Sequence, residues 1–247
     1  GVNSGDLVVG TENIIVGSSA GTNLSGNYND VSGYLTGDAI TGQYNTVTGY
    51  HSGTSLSGAA NDISGHGSSD YLTGNFNSVA GAGAGGRLSG QYNSIFGAEA
   101  GDSLTGSYNA ALGYNAGDFV SGSSNSFIGN GSGTGLIGNS NTISGVNSGD
   151  LVVGNDNIIA GGSAGTLLSG NYNDVSGYLT GDNITGQYNA VTGYHAGTSL
   201  IGTGNLVSGF GAADLLTGSY NSVLGQEAGD RLTGNYNTVV GTDAGDL

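Results

Sequence analysis

A sixteen-residue period runs through the whole chain without an insertion or a deletion, and it constrains the fold more than any other feature. Counting sixteen slots from Gly1, slot 1 is Gly in every repeat, slot 10 is always Gly and slot 13 is always Asn. Slot 8 is Leu, Ile or Val throughout, and slot 15 is Val or Ile except at Ala111 and Phe127. Slot 4 is Ala, Ser or Thr, and slot 5 is Gly except at Ser69 and Ala213. A short, fixed period means a solenoid in which each repeat forms one coil and buries its apolar face against its neighbours.

Composition enters the argument through glycine. Of 53 glycines, 45 occupy slots 1, 5 and 10, whereas flexible linkers scatter their glycines and collagen places one at every third residue. These glycines therefore mark turns. The absence of Pro agrees with a continuous sheet, which Pro would interrupt by deleting ladder donors.

Slots 11–16 alternate polar and β-branched residues and read as one strand, with slots 13 and 15 pointing inward and slots 12, 14 and 16 outward. Slots 6–9 read as a second strand with slot 8 inward. The expected fold is all-β, a parallel β-solenoid or β-roll of about fifteen coils, each with two short strands and two Gly turns. At about 4.8 Å per coil such a solenoid would be roughly 75 Å long. Residues 1–247 read as a single solenoid that starts and stops inside its own repeat, as an uncapped fragment of a longer array would.

A longer period lies over the short one. Residues 1–103 align with 145–247 at an offset of 144, nine coils, with 72 of 103 positions identical. The super-repeat thus covers 1–144 and 145–247, and it carries back unusual residues such as Arg87 as Arg231 and His51 as His195.

The Asn column (Asn13, Asn29, Asn45, Asn61, Asn77, Asn93, Asn109 and onward) is expected to be a structural ladder, because a buried carboxamide needs partners for both its donors and its acceptor. Slot 12 holds Tyr28, Tyr44, Phe76, Tyr92 and Tyr108 among others, an outward aromatic row that would shield the ladder or offer a contact surface for glycan or another solenoid. With Phe96 and Phe119 these form the candidate self-association surface, which would be joined by the other outward apolar residues Leu112, Ile128 and Ile137.

Slot 6 is Asp in ten of sixteen repeats, with Thr in five. Asp6, Asp38, Asp70, Asp102 and Asp118 can serve as Asx turns or, through oxygen ligands from adjacent coils, as calcium candidates. The glycine-rich nonapeptide that binds calcium in other β-rolls is missing. His51, His66 and His195 are too few for a metal row. Asn23-Leu-Ser, Asn130-Gly-Ser and Asn183-Ile-Thr match the N-glycosylation sequon.

Two Arg, no Lys and eighteen acids give a net charge of −16, which disfavours nucleic acid and anionic membranes as partners. No apolar run is long enough to insert into a membrane as a helix. No nucleophile–base pair, paired acid or phosphate loop departs from the repeat, so no enzyme is expected and no cofactor is called for. An acidic, Lys-free chain rich in Ser, Thr and Gly suggests an extracellular or cell-surface location.

At Gly234-Asn-Tyr-Asn-Thr-Val-Val-Gly241 the N-x-V-x-G rhythm resembles grass ice-recrystallisation-inhibiting β-rolls. The wider pattern is similar to head repeats of trimeric autotransporter adhesins and to phage tail-fibre shafts, and bacterial ice-nucleation proteins share the sixteen-residue period. The resemblance implies a self-associating structural fibre or adhesin shaft whose partner is itself, with glycans or a surface as further partners. The alternative it implies is an ice-binding or ice-nucleating module, for which only Thr46-Val-Thr48 supplies a Thr-x-Thr row in slots 14 and 16.

Overall fold

A computed structural model describes residues 1–245. The chain is a parallel β-solenoid of sixteen-residue coils, with no helix among the described residues. It divides into two compact units, Gly1–Ser124 and the remainder from Asn125 on.

In the first unit a long wall is built from slot 14–16 strands, beginning with Ile14–Val16, Asp30–Tyr34 and Thr46–Tyr50 and reaching Ala110–Leu112. Every pairing is parallel with a shift of sixteen residues, as in Val31 opposite Val47 and Ile95 opposite Ala111. A shorter wall of six strands, Asn23–Ser25 to Ser103–Thr105, is formed by slots 7–9. In the second unit the long wall runs from Ser126–Ile128 to Thr238–Val240. Its short wall has three strands, Asn183–Thr185, Ser199–Ile201 and Leu215–Thr217, flanked by single bridges such as Ile137 to Val153. The register leaves no freedom to slip, because a one-residue shift would turn the slot 15 aliphatics into water.

The core lies between the walls. Leu24, Ile40, Leu56 and Leu72 from slot 8 meet Val31, Val47, Ile63 and Val79 from slot 15, all fully buried. Slot 4 closes one end of the section with buried Ala20, Thr36 and Ala84. Thr36 is accommodated there because its hydroxyl donates to the Gly49 carbonyl of the next coil at 2.6 Å. Two large aliphatics per coil cannot offset the ordering of sixteen residues, so the stability resides in coil-on-coil stacking.

The invariant glycines are explained by close approach of successive backbones. Gly33 and Gly26 have φ of +141° and +150°, and a Cβ on either would overlap the carbonyl of the equivalent glycine one coil on, Gly49 or Gly42. No side chain fits, whatever its chemistry.

The strand expected over slots 11–16 begins only at slot 14. Slot 12 is left-handed, with φ of +58° at Tyr28, +60° at Tyr44 and +59° at Tyr92, so it turns the chain instead of alternating with slots 14 and 16. Slot 3 is left-handed as well, as at His51 and Leu179. The sequence carried a signal for this: no Val, Ile or Thr occurs in slot 3 or slot 12 of any repeat. A β-branched side chain is the worst occupant of the left-handed region, where its second γ atom meets the backbone.

Candidate functional site: the outward rows

Inside the coil, polar groups are consumed by the fold. Each slot 13 Asn links three coils. Asn61 receives the Nδ2 of Asn77 on its Oδ1 at 3.0 Å, while its own Nδ2 donates to Asn45 Oδ1 at 3.0 Å and to the Gly74 carbonyl at 2.9 Å. The carboxamides are buried and have no capacity left for a ligand.

Outside, the columns differ from one another. The slot 12 aromatics stack along the coils: Tyr28 on Tyr44 with centroids 5.0 Å apart, and Phe76 on Tyr92 on Tyr108 at 4.9 and 5.0 Å. Tyr172 on Tyr188 and Tyr220 on Tyr236 repeat this in the second unit. A second aromatic row escaped the sequence reading. In slot 2, Tyr34, Tyr50 and His66 stack, and Tyr178, Tyr194 and Phe210 stack at the positions 144 residues on. The long-wall strand extends to five residues at these positions, as in Asp62–His66 and Leu206–Phe210. The recurrence of an aromatic ring three residues after the slot 15 Val or Ile would have revealed this row.

The seven residues expected to form one self-association surface lie on three sides. Tyr28, Tyr44, Phe76, Tyr92 and Tyr108 occupy the slot 12 corner, Phe96 stands on the outer long wall, and Phe119 lies beside the short wall. Phe96 is flanked in its column by Ala80 and Leu112, its direct register partners. Phe96 and Leu112 keep 41% and 55% of their surface exposed.

A further polar ladder runs outside in slot 11, where the Thr11 and Ala59 amides donate to Asn27 and Asn75 Oδ1, both at 2.8 Å. The slot 6 row alternates Asp and Thr from Asp6 to Asp70 and again from Asp118 to Asp214. Thr22 Oγ1 donates to Asp38 Oδ1 at 3.0 Å, Thr198 does the same to Asp214 at 3.1 Å, and Thr54 donates to the Asp70 carbonyl at 2.9 Å. Asp38 and Asp70 are thus held as hydrogen-bond acceptors, Asp6 is exposed, and Asp102 and Asp118 stand in adjacent coils. Among the described residues no three acidic or His side chains converge on a point where a metal ion could sit. Burial, with Asp102 nearby, raises the Asp118 carboxyl above its ordinary value, and the Phe119 N–H opposes that shift. The sequon asparagines Asn23, Asn130 and Asn183 are all exposed.

No family profile, curated protein or solved structure matches the chain. The fold itself and the asparagine ladder are what the structure shows of the resemblances noted above.

Proposed function

We propose that the chain is the shaft of an extracellular fibre or surface adhesin, a non-catalytic solenoid that associates laterally with copies of itself. One observation carries this reading. On the outer long wall of coils 5–7, slots 14 and 16 and the slot 2 positions that follow them hold Ser78, Ala80, Ala82, Ser94, Phe96, Ala98, Ala110, Leu112 and Tyr114, with no charge, in a chain of net charge −16. Two coils of the preceding stretch carry Asp30 and Asp62 in the same column. A flat, uncharged β face with exposed Phe96 and Leu112 is costly in water and suits burial against a like face. The second unit repeats the apolar column as Leu224 and Val240, which are register partners. The likeness to adhesin head repeats and tail-fibre shafts supports the same reading.

Sedimentation velocity over a range of concentrations tests it. The wild-type chain is expected to associate, and Phe96→Ser with Leu112→Ser to remain monomeric at equal stability. Native material is expected to diffract with an axial repeat of about 4.8 Å and a weaker one near 43 Å. A chain that stays monomeric at millimolar concentration refutes the shaft.

The ice-binding alternative gains one observation. Slot 9 of the short wall places Ser25, Thr41, Ser57, Thr73, Ser89 and Thr105 in register, a column of exposed hydroxyls. A recrystallisation assay on the purified chain decides this point, and an inactive chain at micromolar concentration removes the alternative.

A further inference from the structure

The regular slot 6 row is broken once. Every repeat has Asp or Thr there except coil 6, which has Gly86. Gly86 is not in the left-handed region, so its backbone does not demand glycine. A Cβ at this position would instead overlap Asp102 Oδ1, so the carboxylate of the next coil lies over the space that Gly86 leaves open. Asp70 flanks the same space from the preceding coil.

Beside this gap, Arg87 pairs in register with Tyr71 on the outer short wall. Arg87 is exposed, and among the described residues no carboxylate lies within ion-pair distance of its guanidinium. Tyr71 presents 64% of its surface to solvent. At the far side stands Phe119, 61% exposed, whose backbone is left-handed at φ +53° with its N–H held by Asp118 Oδ1 at 2.9 Å. The same slot is left-handed at Leu7 and Leu151, φ +56° and +55°, and all three side chains stand exposed. Ser103, small, lies between Arg87 and Phe119 in the same column.

We propose that this groove binds a neutral oligosaccharide, with pyranose faces against Tyr71 and Phe119 and hydroxyl groups shared between Arg87 and the carboxylates of Asp70 and Asp102. The ligand class follows from complementarity. Exposed aromatic side chains at both ends call for flat apolar surface, and a guanidinium with carboxylates on the coils before and after it offers hydroxyl groups both donors and acceptors. An anionic ligand would meet Asp70 and Asp102, and a cationic one would meet Arg87, so a neutral polyol is the best match. Tyr71 and Phe119 are three coils apart, about 14 Å, which accommodates roughly two to three sugar rings. The second unit supplies an internal contrast, because 144 residues on Tyr71 becomes Leu215 and Gly86 becomes Asp230 while Arg231 is kept.

Isothermal titration of the full chain with cellohexaose, maltohexaose and mannohexaose, and with hexagalacturonate as the acidic probe, tests the proposal. One neutral probe is expected to bind saturably at one site per chain. The double change Tyr71→Leu with Gly86→Asp, which copies the second unit, is expected to weaken it at least about tenfold with an unchanged melt. Arg87→Gln should weaken it too. The proposal is overturned if no neutral probe saturates, if only hexagalacturonate binds, or if the double variant binds as wild type. Sedimentation of the double variant should match wild type, which separates this groove from the Phe96–Leu112 contact.

Discussion

The carboxamide oxygen of Asn29 accepts two hydrogen bonds from one residue, Asn45: from its backbone N–H at 3.0 Å and from its Nδ2 at 2.9 Å. The second Nδ2 proton of Asn45 goes to the Gly58 carbonyl of the next coil at 2.9 Å. Slot 13 therefore satisfies a backbone amide and a turn carbonyl that no strand ladder reaches. Leu would fill the volume and strand both.

Replacing Asn77 by Leu should consequently destabilise by about 2–4 kcal/mol, since it orphans the Asn93 amide and the Gly90 carbonyl and leaves Asn93 Nδ2 with only its bond to the Gly106 carbonyl. Hydrogen exchange gives the local readout: protection of the Asn93 amide should collapse in the variant. Retained protection would show that another acceptor replaces Oδ1.

The left-handed corner makes a prediction that inverts ordinary strand preferences. Tyr92 has φ +59°. All replacements lose its stacking on Phe76 and Tyr108, so the differences among them isolate the backbone. Tyr92→Val should be less stable than Tyr92→Gly by about 1–2 kcal/mol, although Val is the better strand former. Thermal melts of the two variants settle the order, and Val above Gly would contradict the corner.

Coil 5 carries two hydroxyls with no visible purpose. Ser68 Oγ and Ser69 Oγ are buried without a hydrogen-bond partner, whereas coil 14 has Ala212 and Ala213 in the same slots. Ser69 and Ala213 share a left-handed backbone, φ +51° and +52°, so Ala is tolerated there. The double change Ser68→Ala with Ser69→Ala should stabilise by about 1–2 kcal/mol, read as an increase in denaturation midpoint. A lower midpoint would reveal a partner for these hydroxyls in solution.

Burial raises the carboxyls of Asp118, Asp150 and Asp182 above their ordinary value, with Asp102 adding to the effect at Asp118. A raised carboxyl binds its proton more tightly when folded. Its contribution to stability is therefore complete below the unfolded value, near pH 4, and is lost as pH rises through the folded value. The melting temperature should rise as pH falls from 7 toward 4.5, the reverse of ordinary acid denaturation, and the falling charge of −16 acts in the same direction. Asp118→Asn should raise the neutral-pH melt and flatten the pH dependence. A melt that falls steadily below pH 7 would contradict the sign.

The sequence by itself determined the coil. Its period set the sixteen-residue register, its slot 8 and slot 15 aliphatics set the inner faces of the walls, and its invariant Asn set the ladder. These were legible because a stacked repeat forces each slot into one environment, so the chain tests every residue choice about fifteen times over. The left-handed corners at Tyr28 and His51 were written there as well, but as an absence of β-branched residues, which is harder to see than a presence. Only the tertiary structure decided what single residues do. Phe96 and Phe119 look alike in sequence, yet one stands on the uncharged long wall and the other on a left-handed turn two coils along the column from Arg87. Gly86 looks like one more turn glycine until the Asp102 carboxylate is seen to lie over it. A periodic pattern fixes what all coils share; the chemistry of this surface rests on the residues that break the pattern, and their neighbours are sixteen residues away in the chain and about 5 Å away in space.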